Sequence, residues 1–291
     1  MSSADASLQV APVRESQVTK RARRFSGYVA LSFLAAISLI PFAWMISTSL
    51  KQRFEVFIYP PKWIPESLQW DNYLSLWRDF PLWNTWILNS FKITIFVVLG
   101  QLLVCSMSAY AFARLQFPGR DLIFYLYLGS MMVPDVVNLI PTFVVMRSLG
   151  LLDTHASLIV PGLASAIGIF MLRQFFLSIP RELEDAARVD GAGYWRIYWD
   201  IVLPLSKPAL ATLGVFLFIW TWTDFITPLI FLTSPEKYTL TVGQAFINDA
   251  RSSDWERLMA ANVMSLIPLL IVYLAAQRHI VQGVALTGLK G

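Results

Sequence analysis

The chain alternates long apolar runs with short polar connectors, and that alternation is its strongest signal. Runs lie at roughly Tyr28 to Ser49, Trp86 to Phe112, Leu122 to Pro141, Ala156 to Phe176, Pro208 to Leu232 and Leu258 to Ile280. A hydrocarbon core about 30 Å thick needs about 20 apolar residues in helix, and each run is long enough. Only helices and closed barrels satisfy their own backbone in lipid, and the ten-residue alternation of a barrel is absent. The pattern predicts an all-α membrane protein of six transmembrane helices. It also sets the organisation: a polar tail over 1–25, one membrane domain over 26–282 with a long polar loop at 178–207, and a short tail over 283–291.

Composition agrees with that reading. Hydrophobic residues make up 56% of the chain and charged residues only 14%, against about a quarter in soluble proteins. The formal charge of +4 does not suggest nucleic acid, because the basic residues sit between apolar runs and read as topology. Lys20, Arg21, Arg23 and Arg24, then Arg114 and Arg120, then Arg173, Arg181, Arg188, Arg196 and Lys207, and finally Arg278 and Lys290 fall on one face. The positive-inside rule makes that face cytoplasmic and both termini with it. The first run is too long for a signal peptide and reads as a retained anchor. Tyr59, Trp63, Trp70, Tyr73, Trp77, Trp83 and Trp86 crowd the first outer connector, as interfacial anchors do. The fourth run carries Gly162, Ala164, Ser165, Ala166 and Gly168, small enough for close helix packing. Cys105 lies inside an apolar run and reads as a packing residue.

The polar stretch "IPRELEDAARVDGAGYWRIYWDIVLPLSKPAL" interrupts this pattern. Pro180 suits a first helical turn, and Glu182, Glu184 and Asp185 place negative charge near the positive end of the helix dipole. Leu183, Ala186 and Ala187 form a narrow apolar stripe, and Gly191 can take the left-handed conformation that closes a helix. A second, aromatic helix follows, with Tyr194, Ile197, Tyr198 and Ile201 along one stripe and Arg196 and Asp200 outward. On these grounds the stretch is either a connecting loop or a docking helix for a partner's groove.

Asp185, Ala186, Ala187, Gly191, Ile201, Leu203 and Pro204 stand at the spacing of the EAA signature, and the stretch resembles the permeases of bacterial ABC importers. Asp replaces Glu at the first position, which keeps the charge. "MISTSLK", "PPKWIP", "NYLSLW", "FLTSPEKYTL" and "IVQGVALTGLKG" are similar to the carbohydrate class of maltose, oligosaccharide and glycerol-3-phosphate permeases. The resemblance implies a type I importer permease core in the bacterial inner membrane. It implies a second permease subunit, two cytoplasmic ATPase subunits and an extracytoplasmic solute-binding protein, with a sugar as cargo. In that scheme Glu184 to Gly191 is the coupling helix seated on an ATPase, and Leu289, Lys290 and Gly291 touch the ATPases as well. No G-x-x-x-x-G-K-[ST] loop is present, so ATP and Mg belong to the partner ATPase and this chain is expected to hold no cofactor.

Ionisable residues inside apolar runs are candidates for the pathway. Asp224, with Trp220 and Trp222, either lines the route of a sugar or hydrogen-bonds a helix broken near Pro228. Asp135 and Asn138 carry the same ambiguity at the end of the third run. His155 and His279 lack metal-ligand spacing and read as helix-end residues; no metal site and no catalytic residue is expected. Two rivals remain: an ion-coupled secondary transporter, which needs charged or broken helices at the midplane, and a membrane-embedded enzyme, which needs clustered acids or histidines.

Overall fold

The computed structural model describes residues 17–250 and 254–288, all of its regular structure helical. Four helices are long and apolar enough to cross a membrane, and up to six if each of two bent pairs is one span. The elements are α1 (Gln17–Ser49), α2 (Asp71–Asp79), α3 (Trp83–Arg114), α4 (Arg120–Ser130), α5 (Asp135–Ser148), α6 (Ala156–Ile159), α7 (Ala166–Ser178), α8 (Arg181–Val189), α9 (Tyr194–Leu205), α10 (Lys207–Thr223), α11 (Ile226–Phe231), α12 (Leu240–Ala250) and α13 (Trp255–Gly288).

Two of the expected spans are not continuous. The run Leu122 to Pro141 breaks at Met131–Pro134, and α4 and α5 are bent 103° to one another. The physical reason is Pro134, which disfavours helix at the residue before it and leaves Asp135 to start a new one. The run Pro208 to Leu232 stops at Thr223, with Asp224 extended, and resumes as the short α11. Its helix instead joins α9 across a 75° bend at Ser206. In the fourth run, a 3-10 turn at Pro161–Leu163 separates α6 from α7 within one span, and the Ser165 hydroxyl accepts the Gly168 amide to start α7.

α3 is the axis of the fold. It packs against α7 and α10, while α13 packs against α10 and α1. The small residues of the fourth run make the closeness possible: a methyl at Gly168 would meet Cys105 Sγ at 3.1 Å, and one at Gly162 would meet Val97 at 3.1 Å. Cys105 is fully buried there, a packing residue. Two apolar cores sit at opposite ends of α3. One gathers Tyr110, Phe124, Leu172, Phe176, Ile197, Tyr198 and their neighbours. The other gathers Leu76, Trp83, Trp86, Trp222, Leu240 and Ile247. Trp83 and Trp86 are therefore core residues rather than interfacial anchors, while Tyr59, Trp63, Trp70 and Trp77 are exposed. α1 is exposed over 24–43, a surface suited to lipid or a protein neighbour, and is covered only toward its end at Ser49.

At the α5–α6 end the segment Thr233 to Tyr238 is buckled to the rest. Trp86 Nε1 donates to the Pro235 carbonyl (2.8 Å), Asn89 donates to the Glu236 and Tyr238 carbonyls, and His155 Nε2 meets the Lys237 carbonyl. Asp153, at φ 55°, accepts from the Thr233 and Ser234 amides, the Ser234 hydroxyl and Lys237 Nζ (2.8 Å). Burial pushes the His155 imidazole down. The Lys237 ammonium, then the Ser234 hydroxyl and the two amides, hold the Asp153 carboxyl well below the usual carboxylate range.

A lowered folded pKa stabilises the fold above the unfolded value near 4, and the effect is lost as pH falls through the folded value. Asp153→Asn is expected to lower the melting temperature in detergent at pH 7. That gap between variant and parent should narrow as pH drops from 5 toward 3, and a gap independent of pH would refute the role of the charge.

Candidate functional site: coupling loop and inner cavity

α8 is amphipathic in an unusual sense, because its buried side is charged. Glu184 is 3% exposed and faces Arg114, whose Nε lies 2.8 Å from Oε1 with both side chains buried. The contact is off the N–H axis, so it acts through charge rather than as an aligned hydrogen bond. Arg114 Nη2 donates to the carbonyls of Phe176 and Ile179, each at 2.6 Å, which closes the C-terminal end of α7. One guanidinium thus joins the last turn of α3, the end of α7 and the root of α8.

The opposite side of α8 points away from the bundle. Leu183 and Val189 are 45% and 89% exposed, and Ala186 is exposed beside them. Asp185 is exposed and pairs with Arg188 at 3.5 Å, while Ala187 packs inward against the core. Gly191 has φ +82°, and its amide meets the Arg188 carbonyl as the Ala192 amide meets that of Ala187. These two bonds are a Schellman closure, which needs a left-handed residue at this point. The expectation for Gly191 holds. Nothing lies within 4 Å of where its side chain would be, so backbone conformation alone selects glycine.

α9 carries the connection inward. It includes a π-helical turn at Tyr198–Val202, which the sequence pattern did not suggest. The Tyr198 hydroxyl bonds Ser106 Oγ at 2.8 Å, and the Tyr110 hydroxyl donates to the Tyr194 carbonyl at 3.3 Å. The loop is fastened to α3 at residues 106, 110 and 114. Ile201 and Leu203 are half-buried and Pro204 is exposed; Arg196 and Asp200 pair on the outer side.

A cavity of about 550 Å³ lies between α3, α5, α10 and the α11 break. It brings together Asp135, Trp220 and Asp224 of the five pathway candidates. Asp224 Oδ1 accepts the Thr227 amide at 3.3 Å, so it also caps α11, and the break falls at Asp224 rather than at Pro228. Trp222 does not line the cavity. It is 2% exposed, stacked on Phe218 and donating to the Ser265 carbonyl, because it falls on the opposite side of α10 from Trp220. Asn138 is exposed outside the cavity. Leu289, Lys290, Gly291 and the side chain of His279 lie outside the described residues. Among the described residues no three His, Cys, Asp or Glu side chains converge as metal ligands.

Sequence reasoning missed Arg114, Tyr110, Ser106, Tyr198 and Gln101. The signals were there: an arginine at the very end of an apolar run, and a glutamine within it, both more costly than a topological charge.

The family described as binding-protein-dependent transport system inner membrane component matches residues 102–286, from within α3 through α8 and α9 to near the end of α13. The chain belongs to this family. The arabinooligosaccharides transport system permease protein AraQ of Halalkalibacterium halodurans is 33% identical over 265 residues, 90% of this chain and 95% of that one. The sn-glycerol-3-phosphate transport system permease protein UgpE of Yersinia pestis is 37% identical over 236 residues, covering 79% and 84%. A crystal structure of a bacterial ABC transporter involved in the import of the acidic polysaccharide alginate superposes with a TM-score of 0.78 at 28% identity, over 91% of this chain and 98% of that one. The chain is thus an integral membrane permease of the binding-protein-dependent type.

Removing Arg114 leaves Glu184 buried without a counter-charge, a loss of about 3–5 kcal/mol for a fully buried pair. Arg114→Met is expected to free the α8 amides for hydrogen exchange and to open the loop to protease. The double variant with Glu184→Leu should recover much of the protection. Unchanged exchange over residues 181–189 in Arg114→Met would remove the pair from its role.

Proposed function

We propose that this permease forms half of the translocation pathway of an ATP-driven sugar importer in the bacterial inner membrane, and that α8 is its coupling helix. The observation that carries the reading is an exposed helix whose root is locked into α3 by a buried ion pair. A free connecting loop has no need for such a lock. Leu183, Ala186 and Val189 offer a shallow apolar face that fits a partner's groove, flanked by Asp185 and Arg188.

The partners in this reading are a second permease subunit, two cytoplasmic ATPase subunits that hold ATP and Mg, and an extracytoplasmic solute-binding protein. In this reading both termini and the coupling loop belong to the cytoplasmic side, and Leu289, Lys290 and Gly291, outside the described residues, are further contacts for the ATPases. Closure of the ATPases moves α8. The movement enters α3 through Arg114, Tyr110 and Ser106, and α10 through the bend at Ser206. Because α3 also lines the cavity at Ile93, Val97 and Gln101, the same helix that receives the pull shapes the cavity wall. Glu184 takes part as the residue that keeps α8 rigid on its mount, not as a surface contact. Asp185, Ala186 and Gly191 act at the interface and the joint, and Ile201, Leu203 and Pro204 steer α9 into α10.

The decisive experiment purifies the assembly from host membranes and measures both ATP hydrolysis and sugar uptake in proteoliposomes. Co-purification of a Walker-motif ATPase and a second permease is expected, and a chain that runs alone and active would overturn the importer reading. Gly191→Val forces a β-branched residue toward the left-handed region at about 1–2 kcal/mol. Uptake should fall severalfold while hydrolysis persists, with Gly191→Asn milder because asparagine tolerates that conformation. Full uptake in Gly191→Val would show that the joint does not matter.

A further inference from the structure

The cavity at the two helix breaks has a one-sided chemistry. Its wall carries the carboxyl groups of Asp135 and Asp224, and none of the residues lining it is Lys, Arg or His. Asp224 uses Oδ1 for the Thr227 amide, and Oδ2 has no hydrogen-bond partner among the described residues. Trp220, half exposed, presents an indole to the same space.

Gln101 is the second and independent sign. It sits in the middle of α3, is 6% exposed, and lies on the cavity wall. Its carboxamide makes no hydrogen bond to the protein among the described residues. A primary amide has two donors and an acceptor oxygen, and here their partners come from whatever fills the cavity they open onto. A hydroxyl-bearing guest or water entering the cavity is what satisfies it. The same amide on a lipid-facing or packed surface would have no such outlet.

We propose that this cavity contacts an uncharged, hydroxyl-rich sugar ring, held by Gln101 and the Asp224 carboxylate against the Trp220 face, and that Asp135 and Asp224 turn anionic sugars away. The proposal deepens the importer reading and rests on it for the identity of the cargo as a sugar. Carboxylates accept hydrogen bonds from sugar hydroxyls as they do from those of any neutral diol, whereas a second anion in the same space is repelled. A cleft lined by one sign of charge changes the local concentration of charged solutes by about tenfold or more, and salt weakens the effect. The chain would therefore differ from the alginate importer and the glycerol-3-phosphate permease in the charge of what it passes.

The test uses the full chain in its native membranes. Cys105→Ala removes the one native thiol, and Thr142→Cys places a new one on the cavity wall. The rates of modification by cationic and anionic methanethiosulfonates of matched size are compared with those at Ser148→Cys, an exposed control. The cationic reagent is expected to be favoured about tenfold or more over the control ratio at low salt. The preference should fall toward the control in Asp135→Asn with Asp224→Asn. Maltose, lactose or cellobiose should slow modification of the Asp-containing protein, and digalacturonate should not. Gln101→Leu should weaken that protection and leave the reagent preference unchanged. Equal reagent rates, a preference that survives both Asn substitutions, or protection by digalacturonate as strong as by any neutral sugar overturns the charge selectivity. Absence of protection by every neutral sugar overturns the sugar contact. None of these readouts requires the ATPase, so a chain that fails to assemble with one sinks the importer reading separately.

Discussion

The Arg114 guanidinium is the joint on which the α7–α9 end of this permease depends. Burying an arginine and a glutamate together is expensive, and the pair is tolerable only when the geometry is close and further hydrogen bonds occupy the remaining donors. Here Nη2 spends its donors on the Phe176 carbonyl, which also takes the Ile179 amide, and on the Ile179 carbonyl just past the end of α7. The arrangement therefore solves two local problems with one side chain. It also gives α8 an attachment that its apolar residues supply only through Ala187, since Leu183, Ala186 and Val189 all face outward.

α3 links that joint to the cavity. Its last third is bonded to α8 and α9 at residues 106, 110 and 114, its middle lines the cavity, and its first third pins the segment Thr233 to Tyr238 through Trp86 and Asn89 and accepts the Leu240 amide at Ser90. Close packing against α7 makes α3 stiff over this length, because Gly162 and Gly168 let Val97 and Cys105 approach within contact distance. A helix held at both ends and packed along its side moves as a body.

The cavity exists because two helices are interrupted. Irregular backbone at membrane depth is tolerated only where protein or a wet cavity covers it, and broken helices commonly frame transport sites. The breaks here coincide with Pro134–Asp135 and with Asp224–Phe225, so each interruption brings an acidic residue to the wall. Asp224 serves its own helix by capping α11 and serves the cavity with its free oxygen. The structural and pathway readings of this residue are not alternatives, since one carboxylate has room for both.

Much of this protein was legible in the chain alone. Apolar run length set the helical membrane class, since a lipid core admits few backbone solutions. The left-handed turn at Gly191 was legible because local sterics demand glycine there, and the small residues of the fourth run because close approach demands the absence of side chains. What the runs concealed was continuity and facing. Leu122 to Pro141 and Pro208 to Leu232 are apolar on average, yet one bends by 103° and the other ends at Thr223, because hydropathy averages over the proline and aspartate that stop a helix. Trp220 and Trp222 are two residues apart and carry the same composition signal, but a rotation of about 200° sends one to the cavity and the other to the core. Glu184 shows the same limit: its charge suggested the surface, and only the position of Arg114, 70 residues away in sequence, turned it inward. Pairings between distant segments depend on how helices assemble, and that information lies in no single stretch of the chain.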